Sequence, residues 1–182
     1  MKRTLAPSLA LAAIPLLAGA LRWVGINWDD YNHSHPDELF LTTIVTEVGE
    51  RRELLDDVRQ QCAADPRRNH YFNTACTPLN PNNIEEGSFA YGTLPVFIVR
   101  GAAEAVAALT GDEHGTSFGG AHVVGRGVTI VADLIAGALV YLIGRRLLGV
   151  RPALVAALLY ACAALPIQLA HYWTVDTQAN VW

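Results

Sequence analysis

Two acidic positions carry the chemistry that this sequence suggests most directly. Asp37 stands in His35-Pro36-Asp37-Glu38, and Asp176 in His171-Tyr172-Trp173-Thr174-Val175-Asp176, each after a long apolar segment. A carboxylate where a membrane helix meets water stays ionised, can take a proton from a polar substrate and remains beside lipid. Arg126, at the mouth of another apolar segment, either holds a phosphate or simply snorkels to the headgroups. Plainer readings stand beside these. Asp37-Glu38 after a proline is also an ordinary helix start, because carboxylates complement the positive end of the helix dipole. Asp176 is also the first polar residue beyond an apolar run, and His35 and His171 read as surface histidines. Asp133 lies deep in an apolar segment and demands a polar partner inside a helical bundle.

The elements that must position these groups follow from composition. With 52% hydrophobic and 16% charged residues among 182, and a mean hydropathy of +0.25, the chain is too apolar for an ordinary soluble domain. It reads as an all-α, polytopic membrane protein. The net charge of −4 and the small, scattered basic clusters exclude a nucleic-acid surface. Three segments reach the roughly 20 residues needed to cross a bilayer: about 5–26, 123–148 and 152–173.

Charge orients them. Met1-Lys2-Arg3 precedes the first segment, and Gly144-Arg145-Arg146-Leu147-Leu148-Gly149-Val150-Arg151 joins the second to the third. The positive-inside bias places both in the cytoplasm. One further crossing then suffices between Ile26 and Gly144, so residues 27–122 form a long external loop and Tyr91–Leu109 is expected not to cross. Arg100 and Glu104 agree, since central charges cost about 2.5–3.5 kcal/mol each on insertion. Four apart, they can pair on one face of a helix lying on the outer leaflet. Asp37 and Asp176 then both emerge outside.

Within the loop, Leu41, Ile44, Val45 and Val48 recur at helical spacing and predict an amphipathic helix over Glu38–Val48, suited to the membrane surface. Glu50–Gln61 reads as a solvated charged stretch, and Asp65–Gly87, rich in proline and asparagine, as irregular loop. Cys62 and Cys76 share the oxidising outer side. They are either two thiols or a disulfide whose closure of a loop of about 15 residues contributes roughly 3 kcal/mol. The N-terminal segment, with Ala18-Gly19-Ala20, has the features of a cleavable signal, but Trp23, Val24 and Ile26 continue the apolar run and favour an uncleaved anchor.

The order of these features resembles the polytopic GT-C glycosyltransferases, above all the glycosyltransferase 39 group with its protein O-mannosyltransferases and the aminoarabinose transferases. The matching residues are Asp37-Glu38 after a first helix, Tyr91-Gly92-Thr93-Leu94-Pro95, Gly125-Arg126 before a small-residue-rich helix ending in Gly144-Arg145-Arg146-Leu147, and Thr174-Val175-Asp176. The likeness runs from Leu5 onward. It implies transfer of a sugar from a polyprenyl-phosphate donor to a protein, lipid or glycan acceptor at the outer face of the cell membrane. Asp37 would be the general base, Arg126 the ligand of the donor phosphate, and Glu38 and Asp176 would orient substrates or hold a divalent cation. No obligatory metal is indicated, because one Asp-Glu pair and a remote Asp do not define a coordination set. The stretch from Glu50 to Asn83 departs from the pattern, so no acceptor site carries over there. Family members are much longer, which implies that this chain is an N-terminal portion, with Ala179-Asn180-Val181-Trp182 opening a further span. The rival readings are a transporter or carrier subunit using Asp133, Asp37 and Asp176, and a non-catalytic membrane assembly protein.

Overall fold

The computed structural model describes residues 5–48, 54–64, 73–84 and 89–179. The basic N-terminal tripeptide, parts of the two loop stretches expected between Glu50 and Gly87, and the expected start of a further span after Ala179 lie outside the described residues. Those described are all-helical, with no strand among them. The helices are α1 (Leu5–Trp23), α2 (Pro36–Glu47), α3 (Asp56–Ala64), α4 (Thr93–Thr110), α5 (Phe118–Leu148), α6 (Val150–Ala161), α7 (Ala164–Leu169) and α8 (Val175–Ala179), with short 3₁₀ turns at Pro81–Asn83 and His114–Thr116. They form two compact units: a terminal unit made of Met1–His35 with Gly125–Trp182, and a central unit, Pro36–Val124.

In the terminal unit α1 packs on α6 and α7. The 31 residues of α5 extend about 46 Å at 1.5 Å per residue, more than a hydrocarbon core of about 30 Å requires. The third apolar segment differs from its expected form. It is not one helix over 152–173, because α6 stops at Ala161 and the chain restarts as α7 after an extended Ala163. Pro166 has no N–H to continue the α6 ladder but is tolerated in the first turn of a new helix. The 12 residues of α6 cover only about 18 Å.

In the central unit α2 packs on α4. Pro36 opens α2, Asp37 and Glu38 occupy its first turn, and Leu41, Ile44, Val45 and Val48 are buried to within 1%. Its apolar stripe is therefore spent on α4, where Val96, Val99 and Ala103 are also buried, and is not left for a lipid surface. Thr42 is tolerated in this core because its hydroxyl donates to the Glu38 carbonyl at 2.7 Å. Helix α4 ends where Gly111 takes a left-handed φ of 74° and returns its N–H to Ala107.

The asparagine-rich loop is ordered by its own amides. Asn83 Nδ2 donates to the carbonyls of Thr74 and Thr77 at 2.9 and 3.0 Å, and Asn80 caps the turn at Pro81–Asn83. Cys62 and Cys76 are joined as a disulfide, with Cα atoms 5.8 Å apart. Of the two sequence alternatives, the bridge is the one formed.

By length and composition α4 (Thr93–Thr110) and the Ala121–Leu148 part of α5 are each long and apolar enough to cross a bilayer. Arg100 and Glu104, the charges expected to keep α4 out of lipid, do pair, at 2.7 Å, and Arg100 also donates to the Val45 carbonyl of α2. Pairing lowers the insertion cost that the two charges carry separately.

Candidate functional site

The Asp37-Glu38 pair owes its position to Pro36. A proline at the first helical position needs no hydrogen-bond partner and sets φ for the helix, which places both carboxylates at the positive end of α2. Asp37 is half-buried and Glu38 fully buried, and both are engaged in contacts. Phe40, one turn from Asp37 and so on the same side of the helix, forms a cluster with Phe89 and Tyr91, ring centroids 6.0–6.1 Å apart.

In the terminal unit the turn after α1 is built around Asp29. Asp30, Tyr31 and His33 all have left-handed φ, at 49°, 67° and 50°, a conformation that non-glycine residues keep only when neighbours hold them in it. Here Tyr31 N–H donates to Asn27 Oδ1 at 3.1 Å, Asn32 Nδ2 to the Asp29 carbonyl at 2.6 Å, and Ser34 N–H to Asp29 Oδ2 at 3.1 Å. Arg126 completes the set. Its Nη1 and Nη2 donate to the two Asp29 carboxylate oxygens at 3.0 and 2.8 Å, and Nη1 also to the Ile26 carbonyl at 2.8 Å. Such a forked, fully buried pair fixes orientation as well as charge.

This revises the expectation for Arg126. The side chain is buried and does not extend toward a headgroup layer, and any phosphate at this guanidinium would share it with Asp29. One residue back, Gly125 lets the indole of Trp173 lie directly on α5, since a Cβ there would overlap the ring.

A second ionic cluster lies deeper. Arg22, near the end of α1, pairs through Nε with Asp133 Oδ2, and the Tyr160 hydroxyl donates to Asp133 Oδ1 at 2.7 Å. The remaining Arg22 nitrogens donate to the carbonyls of Ala161 at 2.9 Å, Ala18 at 3.2 Å and Tyr160 at 3.5 Å. The guanidinium thus satisfies the exposed carbonyls at the end of α6 while it neutralises Asp133. The polar partner that Asp133 required is therefore Arg22. A cavity of about 120 Å³ opens beside this cluster, with apolar walls from Leu11, Pro15, Leu134 and Ala157.

Asp176 is exposed in the first turn of α8. Thr174, just before that short helix, and Thr177 and Gln178 within it are buried, and Thr174 Oγ1, Thr177 Oγ1 and Gln178 Nε2 meet no hydrogen-bond partner among the described residues. His171, before α8, has Nδ1 2.7 Å from the Ile167 carbonyl and Nε2 2.8 Å from the Val24 carbonyl. With both ring nitrogens engaged by backbone, it serves as a tie and not as a free base. Among the described residues no group of three or more His, Cys, Asp or Glu side chains is arranged to hold a metal ion.

Of the residues expected to act, Asp37 and Glu38 stand together at the start of α2 in the central unit, whereas Arg126 and Asp176 belong to the terminal unit, where Arg126 pairs with Asp29. Sequence reasoning missed Asp29, Arg22 and Tyr160. A signal existed for the first two: each of Arg126 and Asp133 is a charge beside or within an apolar segment and requires an opposite charge within reach. No protein-family model matches this chain, and neither a curated protein nor a solved structure is similar to it.

Proposed function

We propose that the chain belongs to a multi-pass membrane glycosyltransferase of the GT-C kind, which moves a sugar from a polyprenyl-phosphate donor to an acceptor at the external face of the cell membrane. The observation that carries this reading is the Asp37-Glu38 pair at the first turn of α2, closely following the apolar helix α1 and its Asp29-centred turn. A hydroxyl acceptor is a weak nucleophile at neutral pH. Asp37, half-buried, takes its proton as the oxygen attacks the anomeric carbon, and the lipid phosphate departs with the bonding electrons. Glu38, in the same first turn, orients the substrate.

The transporter alternative is weakened by Asp133. A transport carboxylate must exchange partners, whereas this one already accepts from Arg22 and Tyr160.

The test is transfer of labelled sugar from polyprenyl phosphate in reconstituted membranes. In the full-length protein Asp37→Asn keeps the shape and removes the base, and general-base catalysis is worth about 10²–10⁴-fold, so turnover should fall by that order with membrane insertion intact. Near wild-type turnover in the folded variant returns the pair to a helix start. For topology, cysteines introduced at Thr110 and Ser117 should be labelled from outside in intact cells, and protection there with labelling at Gly149 would reverse the assigned orientation.

A further inference from the structure

The terminal unit holds a second open cleft, of about 190 Å³, lined by Trp28, Gln168, His171 and Tyr172. Its aromatic walls are held in place. The Trp28 indole N–H donates to the His171 carbonyl at 3.2 Å, the Arg126 guanidinium lies 5.9 Å from its ring centroid, and Tyr172 meets it edge-on at 5.6 Å and 81°. Tyr172 is backed in turn by His35, 5.2 Å between centroids. Despite these ties Trp28 remains 47% exposed. Gln168 is exposed in the same cleft, and no hydrogen bond among the described residues occupies its amide.

We infer that this cleft is a sugar-stacking subsite, in which a pyranose ring lies against Trp28 and Tyr172 and turns its hydroxyls to the Gln168 amide. The argument is chemical. A pyranose has a face of polarised C–H bonds that suits the negative face of an aromatic ring, and a rim of hydroxyls that both donate and accept. A primary amide is the neutral side chain that can do both in return. Rings fixed before the ligand arrives leave little motion to be lost on binding. A lipid tail would need an apolar wall where Gln168 stands, and a phosphate would need a free cation, whereas Arg126 is committed to Asp29. The choice of a sugar rests on the glycosyltransferase reading, and binding of a free glycoside can be measured without any transfer.

The experiment uses the protein in phosphatidylcholine nanodiscs, with methyl hexopyranosides and methyl pentopyranosides as probes and saturation-transfer NMR as the readout. Saturation should concentrate on the C–H protons of one ring face. Trp28→Ala should weaken binding at least tenfold. Gln168→Ala, at an exposed and unbonded side chain, should weaken it several-fold with thermal stability unchanged, which separates a contact from a folding defect. Wild-type protein that transfers no saturation to any of these glycosides overturns the inference, as does binding that both variants leave unaltered. Headgroup spin-labelled lipids supply the remaining arm: if they quench the Trp28-dependent fluorescence and the glycosides do not relieve it, the rings are a membrane anchor and the inference fails. Glycoside binding in a full-length protein that transfers no sugar would overturn the proposed function and leave the subsite standing.

Discussion

The two units are held together by different physics. The terminal unit buries two ion pairs, Arg22–Asp133 and Arg126–Asp29, each with extra hydrogen bonds to backbone or tyrosine. The central unit buries an apolar stripe of α2 on α4 and ties its loop by the Cys62–Cys76 disulfide. Its described ion pair, Arg100–Glu104, has one partner 57% exposed. Buried pairs are directional and fail abruptly when one partner is lost, whereas apolar packing is graded and a disulfide acts mainly on the unfolded chain. The terminal unit is thus specified by a few side chains, and the central unit by pattern and a covalent tie.

Breaking the ion pairs should produce the largest effect. Asp29→Ala or Arg22→Ala leaves a buried charge without its partner, a loss of about 3–5 kcal/mol, to be read by SDS titration in mixed micelles. Replacing Arg22 and Asp133 together by Met and Leu should cost less than Arg22→Ala alone. Single losses below about 1 kcal/mol would mean that these pairs do not distinguish the terminal unit.

Removing the disulfide comes next. Cys62→Ser with Cys76→Ser frees a loop closed over a separation of 14 residues and should cost roughly 3 kcal/mol. Hydrogen exchange should speed up across 54–84 and stay unchanged in α5 beyond Gly125. Faster exchange throughout both units would show that they unfold as one.

The smallest effect sharpens the comparison most. With Glu104 more than half exposed, Glu104→Gln should cost only about 0.3–0.5 kcal/mol once solvent screening is allowed for. A loss of 2 kcal/mol or more in a bilayer, with no such loss in detergent, would place the middle of α4 in hydrocarbon and count against its outer-leaflet assignment.

Much of this was already written in the chain. Apolar run lengths foretold α1 and α5, 3.6-residue spacing foretold the buried side of α2, and Pro36 with two acids foretold its start. Those features are local, set by dihedral preference and periodicity within one or two turns. The four-residue offset of Arg100 and Glu104 likewise foretold their pair, because a helix fixes that distance. Other outcomes required chain segments far apart to meet. Sequence could state that Asp133 needed a partner but not that Arg22, 111 residues earlier, supplies it, nor that Asp29 occupies an arginine 97 residues away. The halves of the aromatic cleft, Trp28 and His171, are separated by 143 residues. The break between α6 and α7 was hidden for a different reason: Pro166 sits in a continuous apolar run, and hydropathy records what is apolar, not which backbone donor is missing. Composition and local spacing determined which stretches are helical and which sides are apolar. Tertiary structure alone decided which partners neutralise Asp133 and Arg126 and which rings stay open, because both depend on contacts whose partners the chain order does not bring near.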